Sequence, residues 1–173
     1  ANDLFTACNG AIVTASAGSA SQRSCGIYVY DTLNISDGAT VTASGDNAGA
    51  DSYGIRTTDI FIDGGSFEAT GGEGTYQSHG IWAQSLNLTD GEVTATGGAA
   101  ASGPSVGIQI NGWMTVSGGT VTATGGSAGG ENDSIGIKAG AVNGDDGGIE
   151  VEGGTVTAHS GTGAYTYGIQ ADN

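Results

Sequence analysis

One residue beyond each of six Gly-Ile pairs stands Tyr28, Arg56, Trp82, Gln109, Lys138 or Gln170, and two residues further on come Tyr30, Thr58, Gln84 and Asn111. The set combines flat aromatic rings with a guanidinium, amides and a hydroxyl. Aromatic rings present a broad apolar surface with a polar tip, which suits the apolar face of a sugar. A guanidinium fork binds a carboxylate bidentately, and amides serve hydroxyls. Two of the three cationic residues and one of the two tryptophans fall in this one column. The expected ligand-binding residues are therefore Tyr28, Tyr30, Arg56, Trp82, Gln84, Gln109, Asn111 and Lys138, and the expected ligand is an extended polysaccharide or a surface glycan.

Catalytic chemistry is less well provided for. His79 precedes a Gly-Ile pair and His159 ends a β-rich run, and neither has a serine or cysteine partner in a recognisable elbow. Arg56 and Lys138 are three repeats apart, about 14 Å if the repeats stack at strand spacing, with no Asp or Glu in their column. The chain is accordingly expected not to be an enzyme, and no catalytic residue is assigned. Calcium is the one ion whose binding is left open, in loops holding Asp46, Asp51, Glu131 and Asp133, or Asp145 and Asp146. No metal ligand is assigned and no other cofactor is expected.

What must position these side chains is a repeat. Ser/Thr-x-Gly-Ile occurs six times, and the glycines at 26, 54, 80, 107, 136 and 168 are 28, 26, 27, 29 and 32 residues apart. Each repeat holds three short runs of period two, such as Gly26–Tyr30, Leu33–Ser36 and Thr40–Ser44. Period two is the pattern of a strand with one buried face. The fold predicted is all-β: a right-handed parallel β-helix with three short strands per coil of about 27 residues, in five to six coils. Ile27, Ile55, Ile81, Ile108, Ile137 and Ile169 are expected to line one interior wall. Leu33, Ile60, Leu86, Met114 and Ile149 line the second, and Val13, Val41, Phe67, Val93, Val121 and Val156 the third. Glycines such as Gly38, Gly65 and Gly91 mark corners, and the serine or, at Thr166, threonine before each Gly-Ile pair reads as a hydrogen-bond ladder.

Residues 1–173 read as a single β-helix domain, with 1–25 as an amino-terminal capping coil and 140–147 as a loop insertion. The last coil stops at Asn173 after one run, which reads as a missing cap or a cut from a longer array, with open strands prone to end-to-end self-association. The start at Ala1, without a signal peptide, fits a mature protein or an excised fragment.

With 18 acidic residues against three Lys or Arg, the formal charge of -15 excludes nucleic acid as a partner. No stretch approaches the roughly 20 apolar residues of a membrane span, so no membrane insertion is expected. Cys8 and Cys25 are expected to form a disulfide that closes the first coil, which implies an oxidising, extracellular setting. A second outward face carries Thr-x-Thr ladders at Thr40, Thr42, Thr120, Thr122, Thr155 and Thr157, the kind of grid that orders water on an ice-binding surface, although Glu68 and Glu92 interrupt it.

The phrases Leu-Asn-Ile-Ser-Asp-Gly-Ala-Thr-Val-Thr-Ala-Ser-Gly at 33–45 and Met-Thr-Val-Ser-Gly-Gly-Thr-Val-Thr-Ala-Thr-Gly-Gly at 114–126 resemble repeats of surface proteins of anaerobic Gram-positive gut and clostridial bacteria. They are also similar to a carbohydrate-binding β-helix family. The resemblance implies the fold and a secreted or cell-surface location. The reading that follows is a non-catalytic, adhesin-like module that binds extended polysaccharide or host glycan on an outward strand face. The alternatives are a passive stalk or protein-protein adhesion segment, a polysaccharide lyase or hydrolase, and an ice-binding protein.

Overall fold

The computed structural model describes residues 3–140 and 147–172. In chain order its strands are β1 (Leu4–Ala7), β2 (Ile12–Ser16), β3 (Arg23–Tyr28), β4 (Thr32–Ser44), β5 (Asp51–Arg56), β6 (Asp59–Thr70), β7 (Gln77–Ala83) and β8 (Ser85–Thr96). They continue as β9 (Ser105–Ile110), β10 (Trp113–Val116), β11 (Thr120–Thr124), β12 (Asp133–Gly140), β13 (Gly148–Val151), β14 (Thr155–His159) and β15 (Tyr165–Asp172). The pairings are parallel, and the strands stack as a right-handed β-solenoid of about six turns with about 28 residues per turn. The insertion expected at 140–147 has its interior, with Asp145 and Asp146, outside the described residues; residues 1–2 and Asn173 lie outside them as well.

First runs form one six-stranded sheet, in the order β3, β5, β7, β9, β12, β15. Second and third runs share the other sheet, because in β4, β6 and β8 they are one continuous strand rather than two. The ladder survives the corner by slipping register there, between Ser36 and Ala39 in β4 and between Asp63 and Ser66 in β6. Left-handed backbone at Asp37 (φ 54°) and Gly38 (φ 72°) makes the bend.

Inside, the registers follow the hydrophobic columns of the sequence. Ile27, Ile55, Ile81, Ile108, Ile137 and Ile169 pair in succession; the first five are buried, whereas Ile169, on β15 with a paired strand on one side only, keeps the register but is 52% exposed instead of lining the wall as expected. Leu33, Ile60, Leu86, Met114 and Ile149 do the same on the second wall. Val13, Val41, Phe67, Val93, Val121 and Val156 complete the third. Identical columns are what a stack requires, since no coil can bury its apolar side alone.

The glycine of the first five Gly-Ile pairs is dictated by close approach. A Cβ on Gly54 would lie 2.5 Å from the Thr70 nitrogen and 2.7 Å from the Gly80 oxygen, and Gly26, Gly80, Gly107 and Gly136 are equally hemmed in by backbone. The serine two positions earlier satisfies the backbone nearby. Ser52 Oγ donates to the Asp46 carbonyl at 2.9 Å and accepts from the Gly72 amide of the next coil at 2.8 Å. Ser78 repeats the pattern with the Gly72 carbonyl and the Gly98 amide, both at 2.7 Å. Ser24, Ser105 and Ser134 continue the ladder.

The loops after the third runs hold a regularity that their varying length conceals. Ala20, Ala48, Gly74, Ala100 and Ala128 form a column of single-residue parallel bridges. Each stands four residues beyond the end of its third run: 16 to 20, 44 to 48, 70 to 74, 96 to 100 and 124 to 128. From bridge to next strand the chain takes three, three, three, five and five residues (20 to 23, 48 to 51, 74 to 77, 100 to 105, 128 to 133). The variation thus lies wholly downstream of the bridge.

The disulfide expected between Cys8 and Cys25 is corrected by the structure: both are free thiols. Cys8 follows β1 in the larger sheet, whereas Cys25 lies within β3 in the other. Each sulfur is engaged locally: Asn9 Nδ2 donates to Cys8 Sγ at 3.3 Å, and Cys25 Sγ donates to the Ile27 carbonyl at 3.0 Å.

Candidate glycan-binding face

The six-stranded sheet presents its outer side as three adjoining columns. The glycine before each isoleucine is skipped in the pairing of β3, β5, β7 and β9, so the alternation of side chains slips by one residue there. Serine and isoleucine both face the interior, and the residue between serine and glycine is left on the outer side. Tyr53 and His79 consequently join Tyr28, Arg56 and Trp82 on one face. Tyr53 Oη reaches Asp51 Oδ2 at 3.3 Å, and His79 Nε2 lies 3.0 Å from Gln77 Oε1.

Arg56 is the centre of this arrangement. Its guanidinium carbon is 4.8 Å from the centroid of Trp82, 5.6 Å from that of Tyr53 and 5.8 Å from that of Tyr28. The registers Tyr28–Arg56 and Arg56–Trp82 place the cation between the two rings, one coil from each. Tyr28 and Trp82 are two coils apart, roughly 10 Å at strand spacing; the guanidinium occupies that interval and links them. Cation–π contacts contribute about 0.5–1 kcal/mol each at exposed sites and more where water is excluded. Beside them Tyr28, Tyr30, Arg56, Thr58 and Trp82 line a hollow of about 220 Å³. Tyr28 is 59% and Tyr30 70% exposed, so both rings are open to a ligand.

The remaining expected residues continue the face. Gln109 follows Trp82 in register, and Lys138 follows Gln109. Gln109 Nε2 donates to Asn111 Oδ1 at 3.1 Å, and Gln84 Nε2 donates to the Asn111 carbonyl at 3.2 Å. Gln109 and Lys138 border a second hollow of about 210 Å³, together with Glu131, Asn132 and Asp133. Trp82 and Lys138 thus belong to one continuous column with two depressions.

Sequence reasoning missed the middle column. The His79 ring stacks on Tyr53, with centroids 5.4 Å apart and planes 7° from parallel. Both are buried, at 2% and 5% exposure, beneath the flanking columns. Burial, with a smaller contribution from the Lys138 charge, holds the His79 imidazole down to about 3. Burial and then the Asp51 carboxylate push the Tyr53 phenol up to about 12. A skipped glycine recurring at one offset was the available signal, since it reverses which neighbour of the motif faces outward.

Among the described residues, no three His, Cys, Asp or Glu side chains gather where they could hold a metal ion. Nor is any described helix long and apolar enough to cross a membrane.

No curated protein and no solved structure matches this chain. A family model described as a beta helix repeat matches residues 86–105 and 115–136, and together with the stacked coils this makes the chain a parallel β-helix protein.

Proposed function

We propose that this chain is a non-catalytic, extracellular β-helix module that binds an extended glycan along the outer side of its six-stranded sheet. The observation that carries the reading is the Tyr28–Arg56–Trp82 stack, in which a guanidinium 4.8 Å from one ring and 5.8 Å from the other holds both in place beside an open hollow. Rings held this way lose little freedom when a sugar docks, and a preorganised platform binds more tightly than a mobile one. Gln84, Gln109 and Asn111 then offer polar groups along the path of a polymer running across the coils.

The state of the titratable groups favours binding over catalysis. A histidine held near 3 and a tyrosine held near 12 exchange no protons around neutral pH, so the Tyr53–His79 pair is a poor acid–base couple.

A glycan array run with calcium and with chelator, followed by calorimetric titration of any hit, tests the reading. Trp82→Ala is expected to weaken binding at least about tenfold, a loss of about 1.4 kcal/mol, while the melting transition stays close to that of the parent. Equal binding by the variant and the parent rejects this face as the site. A blank array with folded protein favours the stalk reading.

A further inference from the structure

We infer that Arg56 is a receptor for a single sugar carboxylate, so that the glycan taken by this face carries isolated acidic groups rather than a continuous run of them. This assignment rests on the glycan reading above and narrows it.

The distribution of charge is the first argument. The chain has three Lys or Arg residues against 18 acidic ones, and all three, Arg23, Arg56 and Lys138, lie on the strands of the six-stranded sheet. Elsewhere the Lys and Arg charges are absent and the formal side-chain charges are carboxylates, so this face is where an anionic ligand can approach.

The second argument is how each cation is already engaged. Arg23 is ion-paired with Asp51 at 3.7 Å. Lys138 borders its hollow together with Glu131 and Asp133, two carboxylates that repel an incoming anion. Among the described residues, Arg56 has no carboxylate within ion-pair distance, and its guanidinium donates no hydrogen bond to the protein. Three rings cover the flat guanidinium, but rings accept hydrogen bonds poorly. The N–H edge, with its fork geometry, is left for a ligand, and a carboxylate is the partner that this fork fits bidentately. The hollow beside it, walled by Tyr28, Tyr30 and Trp82, gives room for the sugar that bears the acid.

The third argument limits the number of charges. Going along the column from Arg56, a ligand meets Trp82 and Gln109 before Lys138, about 14 Å away at coil spacing. A polymer with a carboxylate on every sugar would place several of them against uncharged side chains in the field of a strongly acidic protein.

Calorimetric titration of the whole chain with matched probes tests this. The pairs are lactose against 3′-sialyllactose, and xylotetraose against the same chain bearing one glucuronic acid, with hexagalacturonate as the polyanionic probe. The two pairs separate a sialic acid from a uronic acid as the source of the carboxylate. In at least one pair the acidic member is expected to bind about tenfold or more tightly than the neutral one. That gap should be wide at about 10 mM salt, where the screening length is about 30 Å, and narrow at about 1 M, where it is about 3 Å. Arg56→Gln should bring the two members of the pair together, and Arg56→Lys, which keeps the charge but loses the fork, should leave an intermediate gap.

A gap that persists in Arg56→Gln overturns the assignment, as does equal binding of acidic and neutral members by the parent. Tighter binding of hexagalacturonate than of the singly acidic probes overturns the restriction to one carboxylate. If array and probes are all blank with folded protein, the glycan reading itself falls and takes this inference with it.

Discussion

His79 lies flat against Tyr53, its ring 5.4 Å away and 7° from parallel, with Nε2 held by Gln77 and Nδ1 buried without a hydrogen-bond partner. A neutral imidazole tolerates that position, and a charged one would need a partner for its second N–H. Tyr53 also carries the guanidinium of Arg56 on its ring, so the stack belongs to the underlayer of the outer face of the six-stranded sheet.

Acid stability should follow from this histidine. Its folded value of about 3 lies below the ordinary 6.5, so between those values the unfolded chain binds a proton that the folded chain refuses. Stability is therefore unaffected by this group above 6.5 and falls as pH drops, by up to about 1.4 kcal/mol per unit, until about 3. Urea unfolding at several pH values should show the parent losing stability relative to His79→Phe through this window, the common background of carboxylates cancelling in the comparison. Parallel curves for the two proteins would contradict a buried neutral imidazole.

The serine ladder should be costly to interrupt. Ser78→Ala leaves the Gly72 carbonyl and the Gly98 amide without their partner, and two such groups cost about 2–4 kcal/mol together. Ser102 donates to the Thr75 carbonyl at 2.7 Å from an exposed position where water replaces it, so Ser102→Ala should cost less than about 1 kcal/mol. Denaturant midpoints compare the two directly.

Two glycines should respond to alanine for different reasons. At Gly54 the new Cβ would lie 2.5 Å from a backbone nitrogen and 2.7 Å from a backbone oxygen, neither of which can rotate away, and the expected cost is at least about 3 kcal/mol. At Gly38 nothing lies within 4 Å and only the left-handed backbone (φ +72°) is penalised, about 1–2 kcal/mol. A larger loss at Gly38 than at Gly54 in thermal unfolding would reverse this ranking.

The thiols should behave unequally. Burial pushes Cys25 up to about 11, so little thiolate exists near neutral pH and its reaction with a disulfide reagent should be slow in the folded protein. Two thiols per chain should titrate after unfolding without reductant, and the melting temperature should not change when reductant is added. A single slow form that releases thiols only on reduction would restore the cross-link.

The interior was legible in the sequence because its physics is repeated in every coil. Ile55, Ile60 and Phe67 each have counterparts one coil away at nearly the same offset, and stacking leaves such residues one place to go. The outer face was only partly legible. Tyr28, Arg56 and Trp82 follow the motif by one residue and keep the period of two, so their shared column could be read directly. Tyr53 and His79 sit across the skipped glycine, where a strict period of two assigns the wrong side. The contact of Arg56 with three rings at once depends on that slip. The Cys8–Cys25 distance in sequence gave no sign that the two thiols belong to different sheets.

The constant interval of four residues before Ala20, Ala48, Gly74, Ala100 and Ala128 has a bearing on how such a chain changes over evolution and how it can be engineered. A residue added between Thr124 and Ala128 displaces a bridge that both neighbouring coils contact, and the misfit passes up and down the array. A residue added between Ala128 and Asp133 meets no such constraint, as the five-residue interval there, against three in the first three coils, already illustrates. Each coil thus offers one permissive window for a grafted peptide, and grafts in successive windows would stand in a row at strand spacing, about 4.8 Å apart, as a display of regularly spaced epitopes.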